Sequence, residues 1–283
     1  MAVLTIEQYQ TMRAKAITVA VRELIGRSLI PSQTVDVGTQ EYGYDKLTDM
    51  TAAEIISKYA PGSKDTIAIV RKTASVPILH KGFKITRIDL MSSNRVAGKS
   101  NLKAIGMEQA TRKVATLEDQ IIFSGDAEFG IPGMVGVAGN AVSGHDWSGT
   151  LSDEVNPYND ILTGKAKMQE DGFKAKFLAL NPINAAEAMR KIVDGNGTWM
   201  EMIQKIVPSI TESMAVPLGT FIMGDQSSDI AELIIAENYE ILDANLPGLM
   251  VYDFDIITRT LPMFYEYGEV AGKSDAFCVG TGV

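Results

Sequence analysis

Cysteine occurs once in this chain, at Cys278, so no internal disulfide framework is available and a reducing compartment fits. Cys278 sits in the apolar stretch AFCVG and reads as a buried core thiol. Histidine occurs twice, at His80 and His145, far apart and with no cysteine or second histidine at ligand spacing. No GxxxxGK[ST] or GxGxxG motif is present, so neither phosphate-cradling loop is encoded. No GxSxG elbow is present either, which leaves no recognisable nucleophile for either histidine. Asp253 and Asp255 alternate along one strand face and read as an exposed face rather than an acid–base pair. No catalytic residue, cofactor or metal site is therefore expected, and the protein reads as a non-enzyme. No uncharged apolar run approaches the roughly 18 residues that a membrane span needs. The amino terminus lacks the charged start and apolar core of a secretory signal. Basic residues are also in deficit: 26 Lys and Arg against 35 Asp and Glu give a net charge of -9, which argues against a general nucleic-acid binder.

Residues 101–134 are the most informative stretch, a long charged run without proline that ends in a turn rich in Gly and Pro. Leu102, Ile105, Ala110, Val114, Leu117 and Ile121 recur at roughly helical spacing and predict one apolar stripe. Glu108 and Arg112, four apart, form a supportive pair. A helix of about 23 residues is a rod of roughly 35 Å, long enough to be the spine of a flat subunit.

The remaining chain alternates between strand and helix patterns. Residues 5–25 predict an amphipathic helix, with Thr5 and Gln8 as a capping box and Gly26 and Pro31 ending the segment. Residues 35–51 read as a short strand with turn residues around Tyr42, Gly43, Tyr44 and Asp45, and residues 52–59 as a helical turn. Residues 66–71, 75–80 and 83–90 alternate as three strands, with Gly82 as punctuation. Asn156-Pro157 and Asn181-Pro182 each combine an N-cap with proline at the first helical position; they predict helices to Asp171 and about Val193. A third helix is expected over 199–206. Strands are expected at 173–180, 220–223, 231–235, 239–242, 249–264 and 275–279.

Charge is segregated. Residues 58–87 carry seven cations, Lys58, Lys64, Arg71, Lys72, Lys81, Lys84 and Arg87, against the single acid Asp65. Residues 225–283 carry eleven acids against Arg259 and Lys273. Two such segments attract each other within a subunit or between subunits.

The segment IIFSGDAEFGIPGM, through Ile122, Phe123, Gly125, Gly130, Ile131, Pro132, Gly133 and Met134, resembles the step after the spine helix in one superfamily. These are the major capsid proteins of tailed viruses and their cellular relatives, the encapsulins, which share the Hong Kong 97 type capsid fold. The resemblance implies an α+β fold with an N-terminal helix/arm (1–38), a peripheral domain (39–57, 91–139 and 244–283), an extended loop (58–90) and an α/β axial domain (140–243). It implies a structural protein, many copies of which, as pentamers or hexamers, close an icosahedral shell. Lys64, Arg71, Lys72, Lys81, Lys84 and Arg87 are the expected inter-subunit contacts, reaching acidic surface on a neighbour. The C-terminal stretch 260–283 departs from the usual encapsulin ending. The expectation is therefore a viral shell enclosing DNA, with scaffold and portal as separate partners and the virion as its location. The start directly at an amphipathic helix resembles the alternative, an encapsulin nanocompartment in the cytoplasm holding a cargo enzyme near the N-terminal helix. A soluble α/β enzyme without a recognisable motif is the rival from another class.

Overall fold

The computed structural model describes residues 24–47, 54–55, 62–66, 69–95, 102–149, 152, 156–192, 197–242, 250–266 and 272–283. The predicted helix at 5–25 and helical turn at 52–59 lie almost wholly outside them.

The described elements run as follows. The first group is α1 (Gly26–Leu29), β1 (Ser32–Thr34), β2 (Glu41–Leu47), β3 (Ile69–Ser75), β4 (Ile78–Thr86), α2 (Arg87–Arg95) and α3 (Leu102–Ser124). Next come α4 (Gly133–Val137), β5 (Ala138–Ser143), α5 (Pro157–Glu170), β6 (Phe177–Leu180), α6 (Pro182–Ala188) and α7 (Trp199–Ile203). The chain closes with β7 (Ser209–Glu212), β8 (Thr220–Gly224), β9 (Ala231–Leu242), β10 (Val251–Phe264) and β11 (Ser274–Thr281).

Helix α3 has the predicted 23 residues, but its buried face is not the predicted stripe. Ala110, Val114 and Ile121 are buried, whereas Ile105 and Leu117 are 36% and 37% exposed. The face that packs runs through Met107, Ala110, Thr111, Val114, Ala115, Glu118, Ile121 and Ile122. This spacing of three and four is stricter than that of the predicted stripe, and it includes a carboxylate. The helix lies across a four-stranded sheet ordered β1-β9-β10-β4, and its side chains share a core with Leu79 of β4, Ile241 of β9 and Ile256 of β10. Phe83 lies over the one-atom side chain of Gly106, where an added Cβ would meet Phe83 Cε2 at 2.6 Å.

The step after α3 explains the motif that carries the resemblance. Gly125 and Gly133 both have positive φ, 78° and 60°, and pack backbone on backbone, so a Cβ on either would strike the other's chain. Asp126 and Ile131 exchange backbone hydrogen bonds of 2.7 and 2.8 Å, and the Asp126 carboxylate accepts from the Glu128 and Phe129 amides. The loop is thus closed at its neck and turns the chain sharply into α4.

A second layer holds the five-stranded sheet β5-β11-β8-β6-β7 with α5, α6 and α7. Its core is apolar and includes Trp147, Ile161, Met168, Leu178, Phe221, Met223 and Cys278. Both predicted Asn caps form: the side chains of Asn156 and Asn181 accept from the Asn159 and Ile183 amides. Helices α6 and α7 stop at Ala188 and Ile203, earlier than the periodicity suggests. A third cluster, with Phe123, Met134, Phe177, Leu233 and Phe277, joins the two layers.

Three local expectations are corrected, and Gly26 takes a role the sequence does not suggest. The helix that Gly26 is expected to end lies almost wholly outside the described residues, and Gly26 opens α1. A Cβ there would meet Ile122 at 2.8 Å, so the residue permits close approach to α3. Tyr42 to Asp45 are strand, not turn, because Tyr42 and Tyr44 alternate toward the core while β2 pairs antiparallel with β3. Where three strands are expected over 66–71, 75–80 and 83–90, the described residues 69–90 form two strands and the start of a helix, and β4 runs straight through Gly82. The strands expected at 231–235 and 239–242 are one strand, β9. The break between them coincides with shifts in its register against β10 around Arg259.

Candidate functional site

Three arrangements of charge stand out, and each is positioned by the sheet and the spine. The first joins the chain near its amino end to α3. Arg27 donates to Glu118 through Nε at 2.8 Å and Nη2 at 3.1 Å, a two-pronged pair on a carboxylate that is 1% exposed. Tyr239 Oη of β9 donates to the same carboxylate at 2.8 Å. Next to it, Asp119 accepts from the Ile25 and Gly26 amides at 3.1 and 2.9 Å. Burial raises the Asp119 pKa to about 6, against the lowering pull of those two amides. Burial and the neighbouring Glu118 charge also push the Tyr239 hydroxyl well above its ordinary range.

The second arrangement is the β2–β3 ribbon, a two-stranded sheet separate from the other two. Residues opposite one another share a face. One face carries Tyr42, Tyr44 and Lys46 of β2 with Ala74, Lys72 and Val70 of β3. It meets the body in three places. Tyr42 Oη donates to Gln33 at 3.0 Å, and the Tyr44 ring meets Tyr265 edge-on at 5.0 Å. Glu266 accepts from Lys46 at 2.9 Å and pairs with Lys72 at 3.4 Å. Burial alone would raise the Glu266 pKa, but Lys46, the Gly272 amide and Lys72 outweigh it and hold the carboxyl below its usual range. On the opposite face, Asp45 and Arg71 pair directly across the strands at 2.7 Å. Toward the far end, Ile69 and Val70 are 64% and 49% exposed.

The third arrangement is the solvent face of β4 and β10. Lys84 stands opposite Asp253 at 3.7 Å, and His80 Nε2 bonds Asp255 Oδ1 at 2.8 Å. Asp255 reaches over Gly82, where its carboxylate takes the space a side chain would need. The basic and acidic segments therefore attract within one subunit.

The six cations expected at subunit contacts divide accordingly. Arg71, Lys72 and Lys84 pair with Asp45, Glu266 and Asp253 of the same chain. Lys64, Lys81 and Arg87 are exposed and make no ion pair among the described residues. Burial pushes the Cys278 thiol up to about 12, as befits a core residue. His145 bonds Asp160 at 2.7 Å, while Asp160 also accepts from Trp147 Nε1 at 2.8 Å and the His145 amide at 2.9 Å; this carboxylate ties down the 144–149 loop. Among the described residues, no group of three or more His, Cys, Asp or Glu is placed to hold a metal ion. No described helix is long and apolar enough to cross a membrane. Sequence reasoning misses Glu118, Asp119 and Glu266. Glu118 was legible as a charge on the stricter three-and-four face of α3; Asp119, at its margin, and Glu266 carry no sequence signal.

A family model described as "encapsulating protein for peroxidase" (Linocin_M18) matches residues 1–241. The chain belongs to this family. Over 130 residues, this encapsulin-family chain is 28% identical to the diheme-cytochrome-encapsulin shell fusion protein of Kuenenia stuttgartiensis. The match takes in 45% of this chain and 34% of that relative, so it spans about a third of the relative's length. Among solved structures, the virus-like particle from Pyrococcus furiosus is similar over 97% of this chain and 99% of its own, with TM-score 0.66 and 12% identity. The capsid of Myoviridae phage XM1 is similar over 92% of each chain, with TM-score 0.73 and 13% identity. At such identities the likeness is one of fold. The encapsulin-family chain has the Hong Kong 97 type capsid fold, and encapsulin shells and capsids of this fold are structural, non-enzymatic proteins that self-assemble.

Proposed function

We propose that the chain is the shell subunit of an encapsulin nanocompartment, many copies of which close an icosahedral container around a cargo enzyme in the cytoplasm. The observation that carries this reading is the family match over residues 1–241. It reverses the order expected from the C-terminal stretch, which puts the virus first. The family description names a peroxidase, and the Kuenenia relative is itself fused to a diheme cytochrome. A redox protein is accordingly the cargo class we assign. The arm, residues 1–38, is the side offered to cargo. Its root is held to α3 by Arg27, Glu118 and Asp119.

The contact residues are revised in the same light. Lys64, Lys81 and Arg87 are the cations available to a neighbour's acidic surface, whereas Arg71, Lys72 and Lys84 act first within the subunit. The domain division stays as proposed, although the sheets cross it: β3 of the extended loop is paired to β2, β4 and β9 belong to the four-stranded sheet, and β11 belongs to the five-stranded sheet.

A second reading, a viral major capsid protein enclosing DNA, is favoured by one observation, the similarity to the phage XM1 capsid. Electron microscopy of the purified protein tests both, with absorbance at 260 and 280 nm and protein identification on the same fraction. The encapsulin reading expects uniform closed particles with co-purifying protein and little nucleic acid. Particles filled with DNA would install the viral reading. A monomer or small oligomer at every concentration would remove both.

A further inference from the structure

Glu266 binds both strands of the β2–β3 ribbon at once. Lys46 comes from β2 and Lys72 from β3, on the same face and diagonal to each other across the ladder. Each strand has seven residues, so the ribbon is an arm of about 24 Å at roughly 3.4 Å per residue. Its inward face is fastened at Tyr42, at Tyr44 and, one pair from the far end, at this carboxylate; beside that last point Ile69 and Val70 are exposed. A cleft of about 170 Å³ lies against the root, between Tyr44 and Lys72 on one side and Ile131, Pro132, Met263 and Phe264 on the other. The inner half of the ribbon therefore packs on the core through Tyr42, Tyr44 and Ala74, whereas its outer part is held beside open space by Glu266. A tilt of about 10° at the root moves the tip by about 4 Å, close to the 4.7–4.9 Å between neighbouring strands.

We propose that Glu266, with Lys46 and Lys72, is a clasp that sets the angle of the β2–β3 ribbon and, through it, the curvature at which subunits join. This rests on the shell reading above. Two ammonium groups share one carboxylate, so neutralising Glu266 leaves like charges facing each other with nothing to hold them. The effect is to push the ribbon off its seat. A ribbon free to take several angles joins neighbours at several curvatures, and closed shells of more than one size result.

Glu266→Gln tests this against Glu266→Asp, which keeps the charge, and against Lys46→Gln with Lys72→Gln, which removes the cations from the exposed side. Two readouts are taken: amide hydrogen exchange of β2 and β3, and the particle diameter distribution by electron microscopy. The expected result is about tenfold faster exchange confined to the ribbon in both charge-removing variants, with a shifted or broadened diameter distribution, and near-wild-type behaviour in Glu266→Asp. Wild-type exchange and superimposable diameters in the charge-removing variants would overturn the clasp. Should the wild-type protein form no shells, the shell reading fails, and the exchange data still decide whether Glu266 holds the ribbon.

Discussion

Glu118 and Asp119 are neighbours in sequence with opposite electrostatic situations. Glu118 has a cation and a hydroxyl pointed at it, whereas Asp119 is held mainly by two backbone amides in a buried setting. Arg27→Ala should cost about 3 kcal/mol, because it leaves a carboxylate that is 1% exposed without its counter-charge; thermal unfolding checks this. For Asp119 the folded pKa is raised to about 6, above the unfolded value. A raised acid favours its protonated form in the fold, so its contribution is best at low pH and is lost as pH rises through about 6. Asp119→Asn should therefore gain on the wild type by about 1 kcal/mol between pH 5 and pH 7.5 in paired denaturation curves. A constant gap across that range would count against the assignment. None of this pairing was legible in the residues alone, since the partners lie more than 90 positions apart.

At the scale of elements, local chemistry was a good guide wherever the determinant is local. The two Asn-Pro helix starts form as read, and the sequence also holds a third start that the same rule would find: Thr198 and Glu201 make a complete capping box at α7. Asn156→Ala should lower stability by about 1–2 kcal/mol, measured by unfolding, since the buried cap serves both the Asn159 amide and Ser152. Gly125→Ala should be worse, at least about 2 kcal/mol, because it forces a positive φ on a side chain and drives a Cβ into the backbone of Pro132 and Gly133. Where the determinant is distant, the local reading fails. Gly26 and Gly82 resemble breaks, yet each leaves room for a partner, Ile122 and Asp255. Tyr42 to Asp45 resemble a turn until β3 is placed beside them.

For the whole molecule, part of the segregated charge is paired within the subunit, through Lys72 with Glu266 and Lys84 with Asp253. Triple reversal of Lys64, Lys81 and Arg87 to Glu should leave the unfolding midpoint unchanged. At about 0.2–1 kcal/mol per exposed contact, it should raise the concentration needed for assembly roughly tenfold. Light scattering against concentration measures it. Acid should act on the clasp: the Glu266 carboxyl is depressed, so its contribution is present above the unfolded pKa and is lost as pH falls through the lower, folded value. Shells should therefore keep their diameter at pH 5 and lose uniformity only in stronger acid, read by microscopy across a pH series.

By itself, the sequence determined the spine helix, its closed glycine neck, the capped helices, the strand-rich sheets and, through the neck motif, the superfamily. These depend on hydrogen bonds and steric limits among residues a few positions apart, which composition and spacing encode directly. Only the tertiary structure decided which face of α3 is buried, which strands form the ribbon, and that Arg71, Lys72 and Lys84, half of the expected contact cations, are already paired. Those outcomes depend on which distant residues the chain brings within a few ångströms. Coulomb attraction and close packing act on that separation, and no local pattern records it.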